Sequence, residues 1–144
     1  MRDQFSLLLD TNIVLDVLLD RNPHAVPSGA LWGRIESGEA RGLLAAHAVT
    51  TIHCLLRQQL KEPHAKRAVA SLLSIFGIAP VNEKVLSDAL LSNPVDYEDA
   101  VTAAAALHAG CDYIVTRDPR GYRGSTVTVV TPDAASALIA RIRH

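Results

Sequence analysis

Four aspartates stand where this chain changes from one local pattern to another. Asp10 closes the apolar run Phe5 to Leu9 in Leu9-Asp10-Thr11-Asn12, and Asp118 follows a second apolar run in Thr116-Arg117-Asp118-Pro119. Asp96 and Asp99 open an alanine-rich stretch in Asp96-Tyr97-Glu98-Asp99. Oxygen-only side chains select hard cations such as Mg²⁺ or Mn²⁺. Several carboxylates around such an ion suit phosphoryl chemistry, because the ion activates water and neutralises charge on the phosphorane. Without a cation, clustered aspartates repel one another. Each aspartate also has an ordinary reading. Asp10 can cap a helix starting near Asn12, Asp118 suits an Asp-Pro turn, and Asp96 with an acid three residues on resembles a capping box. Asp96 is read mainly as that cap. Asp99 is read as the functional acid, because no Asp, Glu, Lys or Arg occurs from Ala100 to Cys111. Such a helix, with Tyr97, Val101, Ala104, Ala105 and His108 on one face, is expected to be buried all round. Its first-turn carboxylate is then poorly solvated and needs a partner. Asn12 and Thr116 are placed to orient ligands or bound water from behind the acids.

The elements that must position these residues alternate along the chain. Phe5 to Leu9 reads as a buried strand, followed by a helix from Asn12 to Leu19 that Arg21-Asn22-Pro23 breaks. Ala30 to Glu39 reads as a helix and Gly42 to Ala45 as a strand. Val49, Ile52, Leu55, Leu56 and Leu60 form one helical stripe. Ala65, Ala68, Val69, Leu72, Leu73 and Phe76 form another, with Pro63 near its start and Gly77 past its end. A strand over Ile78 to Val81 and a helix over Glu83 to Leu91 follow, and Asn93-Pro94 separates that helix from one over Tyr97 to Ala109. Strands over Asp112 to Thr116 and Thr126 to Val130 precede a last helix, capped by Thr131-Pro132, with Ala135, Leu138, Ile139 and Ile142 inward. Alternation of this kind implies parallel pairing through right-handed crossovers. Continuous apolar strands imply helices on both faces. The chain is thus predicted to be an α/β domain of three α/β/α layers, with Phe5 to Leu9 and Asp112 to Thr116 as adjacent parallel strands. Asp10 and Asp118 then share the carboxyl edge of the sheet, where such folds bind ligands.

Composition narrows the function. The 144 residues, 49% hydrophobic and 20% charged, suffice for one packed domain spanning 1–144. With 14 Lys and Arg against 15 Asp and Glu, the chain is not the strongly basic glove of simple nucleic-acid binders. A nuclease with acids in its metal site and bases at its rim remains compatible. At 4% aromatic residues, base-stacking platforms are not expected. Two cysteines, Cys54 and Cys111, make no disulfide framework, so a reduced, cytoplasmic setting is expected. No apolar run reaches the ~20 residues that span a bilayer, and no membrane association is expected. Arg117, Arg120 and Arg123 flank Asp118 and are candidates for phosphate contact. Arg57, Lys61, Lys66 and Arg67 read as solvated helix faces, Asp16 and Asp20 as surface acids, and Trp32 as packing. The six histidines show no metal-ligand spacing, and His108 falls on a core stripe.

The stretches LLLDTNIVLDVLL (7–19), DYEDAVTAAAALHAGCDYIVTRDPRGY (96–122) and, weakly, HAVTTIHCLLRQ (47–58) resemble the PIN-domain family of metal-dependent ribonucleases. The likeness is greatest to small bacterial members that serve as VapC-type toxins. The resemblance implies a mostly parallel five-stranded sheet between helices and cleavage of RNA phosphodiesters with Mg²⁺ or Mn²⁺. By matching position it gives catalytic and metal-binding roles to Asp10, Asp99 and Asp118, while Asp96 matches an extra acid of one branch. It also implies an antitoxin partner and a homodimer. Two positions depart from the family pattern. A second-acid Glu falls on Thr51, and an acid preceding the aromatic matched by Tyr122 falls on Gly121. Asp96, or a water held by Thr51, is the candidate to fill the gap. The runner-up reading is a catalytically weak PIN-like RNA-binding or regulatory module. A haloacid-dehalogenase-type phosphatase wants a second Asp where Asn12 stands, and a response-regulator receiver wants an Asp that Pro80-Val81-Asn82 lacks, so both rank lower.

Overall fold

The computed structural model describes residues 5–92 and 96–142. Strand and helix alternate in the order β1 (Ser6–Leu9), α1 (Thr11–Leu18), α2 (Ala25–Glu36), β2 (Arg41–Ala45), α3 (Ala46–Arg57) and α4 (Glu62–Ile75). There follow β3 (Gly77–Ala79), α5 (Glu83–Leu91), α6 (Tyr97–His108), β4 (Tyr113–Val115), β5 (Thr128–Val130) and α7 (Pro132–Ile142). The strands form one sheet, ordered β3-β2-β1-β4-β5, with every neighbouring pair parallel. Leu8 lies at the centre, opposite Leu43 on one side and Ile114 on the other.

The period-two geometry of a strand sorts these apolar runs into two cores. Leu7, Leu9, Leu44 and Val115 face a layer built by α1 to α4 and α7, including Ile13, Leu31, Ile52 and Leu72. Leu8, Leu43, Ala45 and Ile114 face α5 and α6, through Val85, Ala89, Val101 and Ala105. The three-layer α/β/α fold expected from the sequence is therefore present, with an all-parallel sheet. From β1 the chain runs outward to β2 and β3, then returns on the other side of β1 as β4 and β5. Folds with such a reversal bind ligands beyond the carboxyl ends of the strands beside it, and here Asp10 and Thr116 follow β1 and β4.

Several local expectations are corrected. The second helix begins at Ala25 rather than Ala30, because Pro27 falls in the first turn, where the missing N–H costs nothing. Strand β5 is shorter than Thr126 to Val130, and β3 ends at Ala79, before Pro80. Ile142 is exposed at the end of α7, leaving Ala135 and Ile139 as its buried contacts. Leu73 likewise lies on the solvent-facing side of α4, and Leu60 falls beyond the end of α3 and is exposed. Helix α6 is not buried all round. Tyr97 and Leu107 are about half exposed, and His108, expected in the core, is exposed and pairs with Asp88 at 2.7 Å. Asp16, expected at the surface, is fully buried. Trp32 packs edge-on against Phe76, with ring centroids 5.1 Å apart, as a packing residue should. The helix break at Asn93-Pro94 lies outside the described residues.

Candidate active site

Asp10 is the first residue beyond β1, and its backbone N–H still donates to Val115 O at 2.9 Å. The residue stands at the N-cap position of α1, yet its side chain makes no capping bond. Instead Asp10 Oδ2 accepts from Thr116 Oγ1 at 2.9 Å, and Thr116 Oγ1 accepts from the Asp118 backbone N–H at 3.1 Å. Thr116 is 1% exposed. One hydroxyl thus ties the loop after β4 to the acid after β1. That bond takes Asp10 away from the capping role.

Burial pushes the Asp10 carboxyl upward, opposed by the Thr116 hydroxyl, the Thr11 backbone N–H, Tyr122 and the Arg117 guanidinium. Asp99, on the first turn of α6, is half-buried. Burial raises its carboxyl to about 6, helped by the charges of Asp10, Asp96, Glu98 and Asp118. Asp10 and Asp99 therefore share one electrostatic neighbourhood, with Asp118 on its margin. Asp96 caps α6 through Oδ1, which accepts from the Glu98 N–H at 2.7 Å, as its main reading required. Asp118 leads into a short 3-10 turn, Pro119–Tyr122, is largely exposed, and lies 3.2 Å from Arg120 Nε.

Two further residues lie nearby: Tyr122, which the sequence matched only as the family's aromatic, and His47, which it did not single out. Tyr122 is buried in the core beneath α6, with its hydroxyl beside Asp10 and Thr102. Burial, then the adjacent Asp10 and Asp99 charges, push that phenol far upward, so it stays protonated. The sequence signal was its match to the family's aromatic, four residues after Asp118. His47, on α3, lies with Nε2 3.4 Å from Thr102 Oγ1, and burial lowers its pKa against the raising effect of Glu98.

A Cβ at Gly121 would stand 2.7 Å from Asp99 Oδ2, the movable end of a side chain. Thr51, half-buried on α3, donates to His47 O at 3.3 Å within its own helix. Asn12 is exposed and contacts Arg21 Nη2 at 3.4 Å through Oδ1. Arg117 is engaged by Asp16 at 2.7 Å. Arg123 is exposed and borders a cleft of about 350 Å³ that runs from Asp99 and Tyr122 toward Asp88 and His108.

Among the described residues, no three His, Cys, Asp or Glu side chains stand close enough to hold one ion as they are. The donor set nonetheless fits a hard cation. All its donors are oxygens, and two carboxyls are raised partly or wholly by burial, with the Tyr122 hydroxyl beside Asp10.

A parallel α/β sheet with acids at its switch-point edge is a ligand-binding architecture. A family model for the PIN domain matches residues 6–120, and the chain belongs to that family. Solved structures share the fold. A FitAB complex bound to a DNA fragment is 25% identical, covers 88% of this chain and 94% of its own, and superposes with TM-score 0.67. A DNA-bound VapBC complex from Salmonella typhimurium is 14% identical, with 89% and 98% covered and TM-score 0.71. A VapC toxin from Mycobacterium tuberculosis that cleaves the sarcin-ricin loop is 16% identical, with 78% and 90% covered and TM-score 0.64. No curated protein sequence matches the chain significantly.

Proposed function

We propose that this PIN domain is a divalent-metal-dependent endoribonuclease and the toxin of a toxin–antitoxin pair. The observation that carries the reading is the coupling of Asp99 to Asp10 at an edge where Thr116 already fixes Asp10. Asp10 and Asp99, with Asp118 at the margin and Asp96 nearby, would hold Mg²⁺ or Mn²⁺. The bound ion would supply a nucleophile from water and stabilise charge on the phosphoryl group. The chain's own residues do the positioning. Thr116 aims Asp10, the Asp96 cap fixes the first turn of α6 and so Asp99, and the protonated Tyr122 hydroxyl presents a donor toward Asp10. Arg120 and Arg123 are exposed at the rim, able to meet RNA phosphates.

The same reading includes an antitoxin, a homodimer and action inside the cell. Leu90, Leu91 and Leu107 are at least half exposed and give the α5–α6 side an apolar face suited to a protein partner. No described helix is long and apolar enough to cross a membrane.

The runner-up, a catalytically weak RNA-binding module, is favoured by Thr51 and Gly121 standing where further acids are common in the family. Titrating purified, metal-free protein with Mn²⁺ in a calorimeter separates the two. The nuclease reading expects saturable binding that Asp10→Asn or Asp99→Asn weakens strongly. RNA binding with no measurable Mn²⁺ uptake favours the module.

A further inference from the structure

We infer that the cleft between His24, Ser28, Arg117 and the start of α7 is a second anion position, which takes a backbone phosphate of the RNA beside the one being cut. The inference rests on the ribonuclease reading for the identity of the polymer. It begins with Asp16, fully buried on α1. Its carboxylate meets Arg21 Nε at 2.8 Å and Arg117 Nε at 2.7 Å. Two guanidiniums share one carboxylate, so the group carries a net positive charge. Both guanidiniums are held from behind, while about a third of each arginine side chain remains exposed. A charge fixed in this way keeps its donors pointed without losing side-chain entropy when an anion arrives.

Arg117 Nη1 lies 3.5 Å from His24 Nε2, and both residues line a cleft of about 180 Å³. Ser28 lines it too. That residue is 1% exposed, and its hydroxyl has no hydrogen-bond partner among the described residues. A buried hydroxyl is costly to leave unpaired, so the cleft holds an unused donor. Its far wall is formed by Thr131 and Pro132, where the eleven-residue α7 begins. The N-terminal end of a helix favours negative charge. Asp133 also borders the cleft and opposes an anion, but it is exposed and therefore screened.

Position fits the assignment. Arg117 follows β4 and Thr131 follows β5, so the cleft lies on the same sheet edge as Asp10, whose carboxyl feels the Arg117 charge. Asp99 approaches that edge from the α5–α6 layer, whereas this cleft belongs to the α2–α7 layer. A polynucleotide crossing the edge over Asp10 meets both.

The test uses Asp10→Asn protein, so that RNA is bound without being cut, and a fluorescein-labelled single-stranded RNA read by anisotropy at several salt concentrations. Adding His24→Glu should weaken binding about ten-fold and lower the salt slope by about 0.7, the loss of one phosphate contact on a single strand. Adding Asp133→Asn should tighten binding. Unchanged affinity and slope in both variants overturn the inference and leave the ribonuclease reading standing. If the Asp10→Asn protein binds no RNA, the ribonuclease reading fails. Titration with inorganic phosphate then decides the site by the His24 ring-proton shifts: a saturable shift supports an anion site, and no shift overturns it.

Discussion

Asp99 shows how a single carboxyl reports on its surroundings. Its folded value of about 6 exceeds the ordinary 3.8, so between those values the folded protein holds a proton that the unfolded chain has lost. Stability therefore falls as pH rises through that window, and the ionised group remains a burden above it. In EDTA at pH 7, Asp99→Asn should raise Tm by about 3 °C, and the gain should vanish as pH falls below about 4. Added Mn²⁺ should stabilise the parent and leave this variant unchanged, as read by calorimetric melting. Tyr122 gives a second expectation. Tyr122→Phe keeps the packed ring and removes only the hydroxyl beside Asp10, so circular dichroism should show the fold intact. Mn²⁺ affinity should fall about ten-fold, the usual effect of losing a group that supports metal ligands. Asp10 was legible in the sequence because a strand end followed by a helix start is written locally. Tyr122 was not, because its nearness to Asp10 and Asp99 depends on the path of the turn after Asp118.

At the scale of elements, α1 carries the clearest lesson. Ile13, Val14 and Leu15 are buried beside Asp16, so an acid lies within the apolar segment of an eight-residue helix. The sequence hid this because the Arg117 partner is 101 residues away. The contact ties α1 to the loop that carries Asp118. Asp16→Ala should cost about 3 kcal/mol, the low end for removing one member of a buried ion pair, since both arginines keep some contact with water. Urea unfolding measures this, and a loss below about 1 kcal/mol would show that the arginines re-solvate freely. Helix α6 was misjudged for a different reason. Uniform apolarity predicts burial on every side, but alanines are short, and Ala103, Ala104 and Leu107 leave an open cleft instead of filling a core. The start of α2 was missed because Pro27 looks like a breaker anywhere but in a first turn.

For the molecule as a whole, the alternating pattern was enough to foresee the three layers and the parallel neighbours β1 and β4, because each strand's own side chains encode which faces are covered. Which acids work together is less local, since it depends on α6 delivering Asp99 to an edge built by β1 and β4. The central claim is that Asp10 and Asp99 act as one metal-holding pair in cutting RNA. Its most direct test is cleavage of single-stranded RNA by purified, antitoxin-free protein with Mn²⁺ or Mg²⁺, comparing the parent with Asp10→Asn, Asp99→Asn and Asp96→Asn. The parent should cut, EDTA should stop it, and either Asp10→Asn or Asp99→Asn should abolish it. Asp96→Asn should cost less, because Asn still caps a helix. Undiminished cleavage by both Asp10→Asn and Asp99→Asn would contradict the account.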